Sequence, residues 1–289
     1  MGASPTYAMS GTVNYLNKFG TANAAAKGYY KGNDPVGELY YEALRYFQGL
    51  QPSDQAIAPF NADPAKADGF PVYTSWTDPV QNACERSNFI LVIGDVNTHV
   101  DKQLPGHRSP NGVNNTSNGD AARAVETIPG STRTFDAVAW TDILSGFETG
   151  GNKSYQHFDG ENWNTQNTTG NPNTNSNNGS LATSCTGATC AGFYWAGAAY
   201  WANTQPIRWD VKAGQSMRDI RVKTFSVDVD EYGNGSIEDD NPRGIRPRRS
   251  SFYLAGKYGW FNDANLDGNP FRTSGGATCN KEWEDKQYP

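Results

Sequence analysis

The 289-residue chain is long enough to bury a full core, and 36% hydrophobic with 12% aromatic residues excludes a chain too polar to fold. A mean hydropathy of -0.70, carried by Asn, Gly, Ser and Thr rather than by ions, points to one domain with long ordered loops over 1–289. The formal net charge of -6 and a pI near 5.1 argue against a general nucleic-acid binder, which needs a basic stripe, and make metal cations the expected charged partners.

The first predicted element is a helix over 34–50, DPVGELYYEALRYFQGL. Asp34 can cap it, Pro35 suits its first turn, apolar residues recur at Val36, Leu39, Tyr40, Ala43, Leu44 and Phe47, and Gly49 is its stop. A Pro- and Asp-rich loop follows to Asp78. SNFILVIGDVNTH then carries an unbroken apolar run, 89–93, between polar flanks. A run that short and apolar on both faces predicts a central strand, 88–95, in a parallel sheet covered by helices. A second helix is predicted over 135–148, where Phe135, Val138, Ala139, Ile143, Leu144 and Phe147 lie near one face. The region at about 151–190 is expected to be a loop insertion, with an Asn-, Thr- and Gly-rich stretch at 162–180.

The small and aromatic mix of AGFYWAGAAYWANT, 191–204, predicts a buried helix. DIRVKTFSVDV, 219–229, predicts a strand with Ile220, Val222, Thr224, Ser226 and Asp228 opposite Arg221, Lys223, Phe225 and Val227. A last helix is expected over 250–258. This order is that of an open, mostly parallel α/β sheet. No apolar run approaches the roughly 18 residues of a membrane helix. The opening residues lack a basic n-region and apolar h-region, and both ends read as points of truncation.

Asp95 falls at the carboxyl end of the predicted central strand, the edge where open α/β sheets bind ligands, and a carboxylate there suits a divalent cation. Asn97, Thr98 and Asp34 are further oxygen donors; the competing reading is that Asp95 caps a turn in DVNTHVD. A stronger motif is NDANLDGNP, 262–270, within a calcium-loop-like tail at about 261–289. Asp263, Asn265, Asp267 and Gly268 match positions 1, 3, 5 and 6 of an EF-hand loop, and Asn269 offers a carbonyl. Ser274 stands where that loop carries its bidentate glutamate. Either Glu282, Glu284 or Asp285 closes the site from farther along, or affinity for Ca2+ is weak, or the stretch is a run of Asx turns.

A second acidic loop, 228–240, followed by Arg243, Arg246, Arg248 and Arg249, reads as a solvated hairpin with internal ion pairs in preference to a cation site beside an anion-binding patch. Cys185 and Cys190 bracket TGAT in a polar loop, where a short disulfide fits better than a metal site and favours an oxidising compartment. Cys84 and Cys279 are open between pairing and burial. No catalytic residues are assigned: His99, His107 and His157 lie in polar loops without metal spacing, and no nucleophile elbow or phosphate-cradling loop occurs. An enzyme is not expected.

Five stretches in order, DPVGELYYEALRYFQG (34–49), NFILVIGDVNTHVDKQLPG (88–106), AGAAYWANTQPIR (196–208), VKTFSVDVDEYGNG (222–235) and FYLAGKYGWFNDANLDGNP (252–270), together resemble the PilC/PilY proteins associated with the tip of bacterial type IV pili. The resemblance implies a von Willebrand A-like, doubly wound fold that can carry an adhesion-type Mg2+ site. Of that site only the aspartate after the fourth strand maps, to Asp95; the threonine position falls near Asn33 and Asp34, and the D-x-S-x-S loop has no match. It further implies a role in pilus biogenesis and adhesion, with pilins or minor pilins and a host or abiotic surface ligand as partners. The implied location is extracytoplasmic, at the outer membrane, cell surface or pilus tip. Alternatives are a calcium-stabilised adhesion domain unrelated to pili and a metal-dependent hydrolase using Asp95. The calcium expectation at 262–270 rests on its own spacing.

Overall fold

The computed structural model describes residues 35–64, 72–80, 87–94, 103–107, 122–148, 154–158, 163–167, 193–210, 218–228, 251–264, 266–270 and 282. In chain order its elements are α1 (Val36–Phe47), α2 (Asp54–Ala62), β1 (Asn88–Gly94), β2 (Glu126–Thr127), β3 (Thr134–Phe135), α3 (Ala137–Glu148), β4 (Ser154–Phe158) and β5 (Trp163–Asn167). These are followed by α4 (Tyr194–Thr204), β6 (Arg208–Asp210), β7 (Arg218–Ile220), β8 (Val222–Asp228) and α5 (Ser251–Trp260).

Helix α1 ends where its glycine predicts. Gly49 takes φ +69°, its N–H donates to the Tyr46 carbonyl, and the Leu50 N–H reaches back to Arg45, which closes the helix with a Schellman pair. Its buried face differs from the spacing: Leu39 is 71% exposed, and Tyr41 is buried instead, stacked on Phe135 and lying under the Arg123 guanidinium. An aromatic ring with both a stacking partner and a cation outcompetes an aliphatic one for the inner position. The Pro- and Asp-rich stretch after α1 contains α2, which was expected to be loop. The Ser53 hydroxyl accepts the Ala56 N–H at 3.2 Å, and this local cap outweighs the composition.

The parallel pair β1–β8 holds the fold together, with Asn88 opposite Val222 and Gly94 opposite Asp228. Helices α1, α4 and α5 all cover the face that carries Ile90, Val92, Val222 and Thr224. Tyr40 and Thr224 share a hydrogen bond at 2.7 Å, the Ser226 hydroxyl donates to the Phe252 carbonyl at 2.7 Å, and Gly259 lets α5 approach Thr224. Phe89, Leu91, Ile93, Phe225 and Val227 on the other face are exposed. Among the described residues, the strand predicted to be central and buried on both sides is covered on one, because α4 and α5 fold back to the side that α1 occupies. The same geometry buries Thr224 and exposes Phe225, against the polarity of the two side chains.

Four two-stranded sheets occur among the described residues, and only β1–β8 is parallel; β2–β3, β4–β5 and β6–β7 are antiparallel. Among the described residues the architecture is mixed α/β, with one parallel pair carrying the helices, as an α/β fold requires. The insertion expected to be loop holds the β4–β5 hairpin, in which Ser154 pairs with Asn167 and Phe158 with Trp163.

Helix α4 is buried along its whole length, as its small and aromatic residues predict. Trp195 meets Phe252 edge-on at 4.9 Å and Trp201 lies 4.3 Å from Phe135, so this helix joins α5 to the β3 segment. Two ion-pair groups fasten the periphery. Arg208 binds Asp78 through two N–H groups at 2.9 and 3.0 Å and donates to the Phe47 carbonyl, while Arg45 and Arg123 both pair with Glu126. No helix among the described residues is long and apolar enough to cross a membrane.

Candidate metal centre

The segment after α5 is hung from α4 by polar side chains that point across the helix pair. Asn203 donates from its side-chain amide to the carbonyls of Tyr258 and Phe261, at 3.3 and 3.0 Å, and so occupies the carboxyl end of α5. One turn earlier, the Tyr200 hydroxyl donates to the Gly268 carbonyl at 2.7 Å. The chain between these anchors turns tightly, with Leu266 at φ 60° and Gly268 at φ 71°. A side chain on Gly268 would sit 3.0 Å from the Tyr200 oxygen, so glycine meets both the left-handed backbone and the close approach.

Within this loop the carboxylates turn inward. Asp263 accepts the Gly268 N–H on both oxygens, at 3.1 and 3.2 Å, and Asp267 accepts the Asn269 N–H at 2.7 Å. Glu282, reaching in from farther along the chain, accepts the Ala264 N–H at 3.2 Å, while its own carbonyl accepts the Asn262 N–H. Carboxylate oxygens of Asp263, Asp267 and Glu282 all lie within 4.8 Å of one another. Burial pushes the Asp263 carboxyl above its usual range and nearby Asp267 adds to the rise, while the Gly268 N–H and the Arg221 charge pull the other way. Three clustered hard oxygen donors, one desolvated and raised, form a set that a divalent cation would relieve.

The structure thus brings together two of the predicted ligands, Asp263 and Asp267, and places beside them Glu282, one of the three acids offered in place of the glutamate missing at Ser274. Asn269 lies at the same turn, half-buried. Asn265, Ser274, Glu284 and Asp285 lie outside the described residues, as do Asp95, Asn97, Thr98, Asp34 and Asn33, and the cysteines Cys84, Cys185, Cys190 and Cys279. The loop at 229–250 with its arginines is also outside them. At the carboxyl edge of the parallel pair, Asp228 is the described acid, in register with Gly94. His107, expected in a polar loop, is buried with its ring 5.7 Å from Tyr194, and His157 falls within β4. Tyr200 and Arg221 are not readable as site residues from sequence, because their link to the loop is made only by tertiary packing.

Residues 6–202 match the family described as PilY1 homolog, second domain. A type IV pilus biogenesis factor PilY1 homolog of Xylella fastidiosa (strain Temecula1 / ATCC 700964) is 44% identical over 110 residues, 37% of this chain and 9% of that protein. The match therefore spans a small part of that relative's length. No solved structure matches. With more than half of its length matched, and with the mixed α/β domain that the match runs through, the chain belongs to the PilY1 homologues and carries their second domain.

Proposed function

We propose that this domain is a binding module of a type IV pilus biogenesis and adhesion factor, working outside the cytoplasm at the cell surface or pilus tip, with one loop ordered by Ca2+. The observation that carries the calcium reading is the convergence of Asp263, Asp267 and Glu282 on a loop anchored to the core through Tyr200. Asn265 and Asn269 complete the oxygen set in this reading. The name of the related protein supports the pilus assignment, and pilins or minor pilins are the first partners to test.

A von Willebrand A-like scaffold is favoured by the parallel neighbours β1 and β8, with helices between them in sequence and packed on one face. In that scaffold β1 is the fourth strand, and Asp95, directly after Gly94, belongs to an adhesion-type Mg2+ site at the carboxyl edge where Asp228 also stands. The reading is of recognition rather than catalysis. A hydrolase would require a measured hydrolytic activity that Asp95→Ala removes.

Calcium is tested by thermal melting. Chelation is expected to lower the Tm of the chain, and Asp263→Ala with Asp267→Ala to abolish the difference between calcium and chelator. Identical melting curves in the unsubstituted chain would sink the calcium reading. For the pilus role, the immobilised chain is expected to retain major or minor pilins from a sheared-pilus fraction, and failure to do so returns the domain to a general adhesion role.

A further inference from the structure

Arg221 is the single residue between β7 and β8, and its backbone and side chain serve different parts of the molecule. Its carbonyl accepts the Asn88 side-chain N–H at 3.1 Å, beside the first pair of the parallel register, Asn88 opposite Val222. Its guanidinium donates to the Thr204 carbonyl at 2.9 Å, at the last residue of α4. Carbonyls at a helix carboxyl end lack an intrahelical donor and carry partial negative charge, so a cation there is both hydrogen-bond partner and counter-charge. The same positive charge is felt by the Asp263 carboxylate.

The last turn of α4 carries the contact onward to the acidic loop. The Thr204 hydroxyl donates to the Tyr200 carbonyl at 2.9 Å, and the Tyr200 hydroxyl donates to the Gly268 carbonyl at 2.7 Å. A Cβ built on Gly268 would lie 3.9 Å from the Thr204 Cβ, so the loop backbone sits against the helix end. Gly268 in turn gives its N–H to both oxygens of Asp263. Asp263 and Arg221 are therefore joined twice, by charge and by a chain of hydrogen bonds through Gly268, Tyr200 and Thr204. Tyr200 and Thr204 are buried, and a buried, close-packed network shifts between discrete arrangements instead of deforming smoothly. Arg221 also holds Asn88, so a shift of this network reaches the parallel pair.

We propose that Arg221 is a relay that couples the charge and order of the acidic loop around Asp263 and Gly268 to the pairing of β1 and β8 at their amino ends. Removing the negative charge at Asp263 releases the guanidinium, and its contacts to Thr204 and Asn88 loosen with it. A divalent cation at the carboxylates acts in the same direction by repelling the guanidinium; that effector rests on the calcium reading above, whereas the relay does not. The test is made in chelator, so failure of the relay and failure of the calcium reading are separate results. In the full 289-residue chain, Asp263→Asn is expected to speed amide exchange at the amino ends of β1 and β8 about fivefold or more, with α1 unchanged. In an Arg221→Met background the same substitution is expected to leave the strands at the Arg221→Met rate. Strand exchange that ignores Asp263→Asn, that responds equally in both backgrounds, or that rises together with α1 overturns the proposal. Coupling is reciprocal, so a second measurement serves where Asp263→Asn does not fold. Arg221→Met alone is expected to speed exchange of the Ala264 and Gly268 amides, which Glu282 and Asp263 hold. Protection of those two amides as in the parent overturns the proposal as well.

Discussion

Tyr200 joins a buried helix to an acidic loop through one hydrogen bond, and its hydroxyl is itself buried. Tyr200→Phe keeps the ring and its packing against Tyr258 and Phe261, but leaves the Gly268 carbonyl without that donor. Loss of one partner of a buried pair costs about 1–3 kcal/mol, and the substitution is expected to lower the urea midpoint accordingly. Because Gly268 also donates its N–H to Asp263, loosening it is expected to weaken calcium stabilisation as well, read as a smaller Tm difference between calcium and chelator. A variant with the midpoint of the parent would show that the loop holds itself. At this scale the sequence was informative where the geometry is local. Asp263, Asp267 and Gly268 are readable from spacing because a turn of five residues fixes them, and Asx acceptance from Asn269 follows from the same turn. Glu282 was one of three candidates, since nothing in the intervening chain dictates which acid returns to the loop.

Elements were readable where a single rule governs them. Helix α1 has a stop glycine and a periodic face, and α4 is apolar all round, so both follow from pattern alone. Helix α2 and the β4–β5 hairpin were obscured because proline and asparagine content suggests loop, while a single serine cap starts α2 and both hairpin strands are rich in polar residues that carry no clear alternation. The packing between α3 and α4 shows a further constraint that periodicity does not reveal. A Cβ built on Gly197 would fall onto the Thr141 hydroxyl and 2.7 Å from the Thr141 backbone nitrogen, and Thr141 is tied to the Ala137 carbonyl by its own hydroxyl at 2.7 Å. Gly197→Ala therefore sets helix propensity, worth about 1 kcal/mol in favour, against overpacking of a backbone contact, worth about 1–3 kcal/mol against. The contact is with main chain and cannot rotate away, so net destabilisation is expected, measured as a lower midpoint in denaturant. A raised midpoint would mean the two helices slide apart at little cost.

Three of the buried tyrosines lie at different seams of the molecule: Tyr40 against Thr224 of β8, Tyr41 against Phe135, and Tyr200 between Trp140 of α3 and Tyr258 of α5. Tyr40, Tyr41 and Tyr200 are almost wholly buried, and burial pushes each phenol well above its ordinary value, with the Glu126 charge adding to the rise at Tyr41 and that of Asp263 at Tyr200. The unfolded chain releases these protons near pH 10, whereas the folded chain keeps them to higher pH. In that interval the folded state binds more protons, so stability is fully present below about pH 10 and is lost as pH rises through the raised folded values. Each group contributes a slope of about 1.4 kcal/mol per pH unit, and three together about 4. Against a domain stability of roughly 5–15 kcal/mol, that slope unfolds the protein within a few pH units of 10. The expected result is a cooperative rise in phenolate absorbance that coincides with loss of far-ultraviolet circular dichroism on an alkaline ramp. Tyr40→Phe removes one of the three titrations, together with its hydrogen bond to Thr224, and is expected to make the transition shallower. Gradual titration with the circular dichroism unchanged would show that solvent reaches these rings without unfolding, and the tight aromatic packing around Tyr40, Tyr41 and Tyr200 would have to be reconsidered.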